Sequence, residues 1–201
     1  MRNGIIYPIF NWCIKILYYI NVVEWLKKAL VKIFKGCFDK IAISRFAVDS
    51  FILFKWGFVL ILMKYHYEND SITFIVWYLI WSNIYTYFYY HIWKDDSANS
   101  IHSNPTRLRR RFITLLTSIG FSNLSFAYLY RIPYYKSFDW KLEIPKNIQS
   151  LWYSCANSLT ANYEYVKPLD KTGTDLTIIQ LAISFIFLTM ILGNSTPSSN
   201  S

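Results

Sequence analysis

The sequence predicts an all-α membrane protein: about four transmembrane helices, preceded by N-terminal amphipathic helices. Three observations predict it. The apolar residues come in blocks rather than at amphipathic spacing, and four of the blocks approach the ~20 residues needed to cross ~30 Å of hydrocarbon. The 201 residues are 54% hydrophobic and 20% aromatic, greasier than an ordinary soluble domain. Lys and Arg, which set a formal net charge of +9, gather at the flanks of the blocks, where they orient spans instead of contacting nucleic acid. No nucleic-acid partner is expected.

Residues 1–40 form the first region. Ile5–Val23 is apolar but interrupted by Pro8, Asn11, Lys15 and Asn21. The sequence leaves open whether it spans the membrane, and the polar interruptions favour an interfacial helix. From Trp25 to Lys35 the pattern sharpens, with Trp25, Leu26, Ala29, Leu30, Ile33 and Phe34 set against Lys27, Lys28, Lys32 and Lys35. That is a basic amphipathic helix, suited to a bilayer surface with anionic lipids. No small-residue cleavage site follows Val23, so a signal peptide is not expected.

Residues 41–111 hold two expected spans, Phe46–Tyr65 and Ile72–Trp93, and a basic linker. The second span is rich in Trp and Tyr, which suit membrane interfaces at its ends and packing in its middle. Asp49 and Lys55 fall in or near the first span, Asp49 near its end and Lys55 able to snorkel. The segments Lys27–Arg45 and Lys94–Arg111 are strongly basic and are placed in the cytoplasm. Arg107, Arg109, Arg110 and Arg111 read as an orientation signal in a loop beside Pro105; they are too closely spaced for a voltage sensor. The acidic linker His66–Asp70 then lies outside, as do residues 132–173.

Residues 112–193 contain spans at Phe112–Tyr130 and Leu176–Leu192. Between them lies a short amphipathic run, Asn147–Leu159, opened by Pro145 and followed by Thr160-Ala161-Asn162-Tyr163-Glu164-Tyr165 and Pro168. In order and spacing this resembles the two-helix pore module of the potassium-channel superfamily, of the bacterial ion-channel type, over about two-fifths of the chain. The resemblance implies a re-entrant pore helix and filter loop added to the helical membrane fold. Phe112–Tyr130 then corresponds to the outer helix, Asn147–Leu159 to the pore helix, Thr160–Tyr165 to the family's T-V-G-Y-G-D signature, and the helix from Asp175 to the inner helix.

The resemblance implies a selectivity filter of Thr160, Ala161, Asn162, Tyr163 and Glu164, braced by Trp152, Tyr153, Tyr163 and Tyr165. It also implies a pore-lining inner helix on which Thr177, Gln180 and Ser184 face a wet vestibule or neighbouring helices. A filter works by replacing hydration water with rings of carbonyls, and aiming those carbonyls requires backbone angles that glycine reaches easily. Asn162 and Glu164 stand where the family has its glycines. Asn visits the left-handed region readily and is expected to keep the lower geometry, whereas Glu164 remodels the upper part. Tyr165 replaces the family's acidic residue, so bracing through that carboxylate is lost.

The implied function is a membrane cation channel with doubtful potassium selectivity; the alternative is a non-conducting, channel-like adaptor or assembly platform. Its permeant species are monovalent cations, K+ among them. One copy supplies one wall, so a homotetramer is expected. In a tetramer four Glu164 carboxylates ring the outer mouth. Neighbours roughly 8 Å apart repel by about 2 kcal/mol at an effective dielectric near 20, which the ring relieves by recruiting a proton or a divalent ion. The alternative is that Glu164 turns to solvent or to Lys167.

An enzyme is not expected. His91, Asp95 and Asp96, and His66 with Asp70, sit at membrane edges, but no metal-ligand repeat, nucleophile elbow or glycine-rich phosphate loop accompanies them. Cys13, Cys37 and Cys155 lack metal-ligand spacing and read as packing residues. The protein is expected in the cell (plasma or inner) membrane as a multi-pass protein, its filter extracellular or periplasmic and its flexible tail, residues 194–201, cytoplasmic. The Asn194-Ser195-Thr196 sequon then carries no glycan.

Overall fold

The computed structural model describes residues 6–33, 40–89 and 105–195, which are mostly helical. Phe34, Lys35, Cys37, Tyr90, His91, Trp93, Asp95, Asp96 and the end of the tail, 196–201, lie outside the described residues. Contacts divide the chain into two units, residues 1–57 and 58–201.

The first unit contains α1 (Ile6–Ile20), α2 (Val22–Ile33) and the start of α3 (Lys40–Tyr65). Asn21 separates α1 from α2, and its Oδ1 accepts the Val23 N–H at 3.1 Å, the side-chain capping that Asn favours at a helix start. Glu24, in the first turn of α2, receives the Tyr18 hydroxyl at 2.9 Å and pairs with Lys27 at 2.9 Å. The 15 residues of α1 extend about 22 Å at 1.5 Å per residue, short of the hydrocarbon thickness. On α2 the apolar positions Trp25, Ala29 and Ile33 form an exposed stripe beside exposed Lys28 and Lys32.

The second unit contains the end of α3, α4 (Asp70–Phe88), α5 (Pro105–Arg131), a 3-10 turn (Tyr135–Ser137), β1 (Phe138–Trp140), α6 (Lys146–Ser158), β2 (Val166–Pro168) and α7 (Lys171–Ser195). Among the described residues, three helical stretches are long and apolar enough to cross a membrane: Phe46–Tyr65, Phe112–Arg131 and Lys171–Met190. The block expected as a span at Ile72–Trp93 forms α4, but α4 is not among the three. Its Trp, Tyr, Ser, Asn and Thr residues dilute the aliphatic content, and some of them pack against α5. Trp77 meets Phe126 edge-on at 5.8 Å, and the Asn83 amide donates to Ser118 O at 2.9 Å. Tyr87, Leu115, Phe187 and Met190 form a buried cluster that draws α4, α5 and α7 together.

The arginines expected in a loop are helical. Pro105 opens α5, the position where its missing N–H costs nothing, so 107–111 occupy the first turns of that helix. The inner helix also starts earlier than expected, at Lys171. Asp170 explains why: its carboxylate accepts the Gly173 N–H at 2.7 Å and the Ser137 hydroxyl at 2.9 Å, capping the helix and tying it to the 3-10 turn. Gly173 sits so close to that turn that an added Cβ would meet Ser137 O at 2.5 Å.

β1 and β2 pair antiparallel, Phe138 opposite Pro168, Asp139 opposite Lys167 and Trp140 opposite Val166. Lys141 N–H donates to Tyr165 O at 3.0 Å, and Leu169 N–H to Ser137 O at 2.8 Å. The hairpin closes the base of the excursion that carries α6 and the following loop.

Candidate functional site

Helix α6 packs against both α5 and α7, and a polar network fixes it there. Gln180 of α7, fully buried, is the centre. Its Oε1 accepts the Tyr130 hydroxyl of α5 at 2.5 Å and the Asn157 amide of α6 at 3.0 Å. Its Nε2 donates to Ser154 O at 2.9 Å and to Ser154 Oγ at 2.6 Å. Ser154 Oγ donates in turn to Asn123 O at 2.8 Å, and Asn157 also donates to Thr177 O at 3.1 Å. Buried polar groups are costly unless paired, so this set specifies one docking position for α6.

Aromatic rings surround the network. Tyr153 packs on Tyr130 at 5.0 Å and Phe138 at 5.8 Å, and shares a hydrogen bond with Thr177 at 3.1 Å. Tyr163 lies 6.3 Å from Tyr153 and 5.5 Å from Tyr165. Among the bracing residues read from the sequence, Tyr153, Tyr163 and Tyr165 thus form a continuous row. Trp152 stands apart, half exposed and without a ring contact among the described residues. Burial pushes the Tyr153 phenol and the Cys155 thiol above their ordinary pKa values.

The loop after α6 departs from the geometry expected of it. Thr160, and not Asn162, takes the left-handed conformation, with φ of 56°. The reason lies in how α6 ends. Ala161 N–H bonds Ala156 O at 2.8 Å and Thr160 N–H bonds Asn157 O at 3.0 Å, a Schellman closure that needs one left-handed residue at the Thr160 position. Ala161, Asn162 and Glu164 follow, all exposed. Asn162 donates its amide to Glu164 Oε1 at 3.2 Å, so Glu164 is steadied by Asn162 on the exposed loop.

The inner-helix residues divide. Gln180 points inward to neighbouring helices, and Thr177 bonds Tyr153 and its own helix; neither lines a free face of the chain. Ser184 donates back to Gln180 O at 3.0 Å. Asn123, Tyr130, Ser154 and Asn157 were missed as site residues. A signal existed in the polar positions Ser118, Ser122, Asn123 and Ser125 inside a span-length run, since polar residues in such helices mark interfaces with other helices.

The described residues therefore show a mostly helical chain with three helices able to cross a membrane by length and composition, and a short helix docked between two of them. No protein-family model, curated protein or solved structure matches the chain.

Proposed function

We propose that the chain is a multi-pass membrane protein and that residues 105–195 form a channel-like pore module, four copies of which enclose a weakly selective cation pathway. The carrying observation is the placement of α6: thirteen residues held between α5 and α7 by the Gln180 network, ending in the exposed loop 160–164. A helix C-terminus carries partial negative charge, so four such ends around one axis favour a cation. Glu164, exposed on the same loop, adds four carboxylates at the outer mouth. Because Thr160 caps α6 and glycines are absent from the loop, selectivity belongs to side chains more than to stacked carbonyl rings.

A second reading has its own support. The exposed positions of α7 from Ile178 to Leu188 are apolar, including Ile178, Ile179, Leu181, Phe185, Ile186 and Leu188, because Gln180 is consumed inside the bundle. A vestibule lined this way resists wetting, which favours a non-conducting adaptor. Reconstitution separates the two. The full chain in liposomes should pass Na+ and K+ with similar permeability, and calcium block should weaken several-fold in Glu164→Gln. Flux no greater than in empty liposomes, with membrane insertion verified, removes the channel and leaves the adaptor.

A further inference from the structure

Five side chains away from the 160–164 loop gather near the C-terminal end of α5: Arg131, Tyr135, Trp140, Lys146 and His66. The Arg131 guanidinium lies 5.0 Å from the centroid of the Tyr135 ring. Lys146 Nζ, at 4.7 Å from the same centroid, donates to the Tyr135 hydroxyl. Trp140 stacks on this ring at 5.6 Å and 13°, with its Nε1 bonded to Tyr135 O at 3.2 Å, which holds the phenol in place. Arg131 also donates an Nη hydrogen to His66 Nε2 at 3.4 Å. A guanidinium has only donors, so that imidazole nitrogen is the acceptor. His66 is positioned by its own left-handed backbone, φ 54°, which closes α3 through Tyr67 N–H to Leu62 O at 3.3 Å.

We propose that Arg131 and Lys146, arranged around Tyr135 and steadied by His66, form a binding site for a phosphate group of net negative charge. Two cations share one ring, and neither forms an ion pair with a carboxylate among the described residues. Arg131 Nε is buried without a partner, so the guanidinium is oriented by packing and by His66, leaving the rest of its fork uncommitted. Phosphate supplies what this arrangement lacks: charge for two cations and several acceptor oxygens for a planar fork.

Arg131 ends the candidate span Phe112–Arg131; Tyr134 and Trp140 follow it in the chain, and Tyr65 and Tyr67 flank its partner His66, residue types that collect at headgroup level. An anionic phospholipid is therefore one source of the phosphate, and that part rests on the membrane reading. A free phosphate is the other source and does not.

The test uses the full chain in mild detergent, titrated separately with dioleoylphosphatidylglycerol, dioleoylphosphatidylcholine and inorganic phosphate. Native mass spectrometry reads retained lipid, and thermal unfolding reads protection. Saturable retention of phosphatidylglycerol over phosphatidylcholine, weakened about tenfold in R131Q/K146Q and unchanged in the exposed-lysine control K167Q, supports a lipid headgroup. Protection by inorganic phosphate alone, lost in the same double variant, supports a free anion. Binding and protection equal in wild type and R131Q/K146Q overturn the site. Should that variant not fold, Lys146→Gln alone must weaken binding several-fold while the charge-preserving R131K/K146R must bind more tightly than it; equal binding by both overturns the proposal. The phosphate measurements need no bilayer, so they stand even if the chain proves not to span one.

Discussion

Thr160 and Gln180 carry the tightest constraints at the scale of single residues, for opposite reasons. Thr160 is β-branched in a conformation that disfavours a Cβ, and only the Schellman closure of α6 keeps it there. Glycine at this position relieves the conflict, so Thr160→Gly is expected to raise stability by about 1 kcal/mol, read as a higher Tm in detergent. A lower Tm would mean that the threonine side chain contributes more than its backbone costs. Gln180 satisfies groups on two other helices. Gln180→Leu leaves the Tyr130 hydroxyl without its acceptor, at about 1–3 kcal/mol for a buried group left unpaired, while Ser154 and Asn157 keep their bonds to Asn123 O and Thr177 O. Ser184→Ala, which loses only a bond to its own helix, should stay within about 0.5 kcal/mol of wild type. Equal losses in the two variants would contradict the network. The sequence points to Asn162 as the left-handed position because it stands where the family has a glycine, whereas the geometry is dictated by where α6 stops, at Thr160.

Much of the helical pattern was legible at the scale of elements. The run read as Asn147–Leu159 forms Lys146–Ser158, because Pro145 forbids an earlier helical hydrogen bond and Thr160 ends the last turn. The β1–β2 pairing was not legible. Three-residue strands carry no usable alternation, and their stability comes from the closure around Ser137, Tyr165 and Leu169. Block length also gives α4 the look of a span, but Trp and Tyr count as hydrophobic by type while lowering mean hydropathy, so α4 is not among the three helices apolar enough to cross; Trp77 meets Phe126 of α5 edge-on. For α2, the stripe Trp25–Ala29–Ile33 beside Lys28 and Lys32 leads to a direct expectation. A peptide of residues 24–40 should bind anionic vesicles, each lysine contributing on the order of 1 kcal/mol, and salt should weaken the binding. Equal binding to neutral vesicles, measured by Trp25 fluorescence, would leave the lysines without an electrostatic part.

At the scale of the whole molecule, helix α7 presents an exposed apolar face among the described residues. Ile178, Phe185 and Leu188 of α7 are exposed by 57%, 67% and 50%, although Phe187 and Met190 on the other side of the helix are buried. In lipid such a face gains nothing from leaving water, so its association depends on packing and on symmetry. A contact between unlike surfaces of identical chains closes only if its rotation does, and the pore reading requires closure at four. We therefore expect the purified chain in nanodiscs to have four times the protomer mass of 23.9 kDa. Phe185→Ala should shift that population toward smaller species, because it removes packing from the face without touching the Gln180 network. Mass photometry after lipid subtraction reads both. A stable monomer or dimer in wild type would eliminate the enclosed pathway, since one copy of loop 160–164 bounds a pore on one side only; a tetramer unaffected by Phe185→Ala would instead move the contact to another face, with exposed Trp152 of α6 the next candidate.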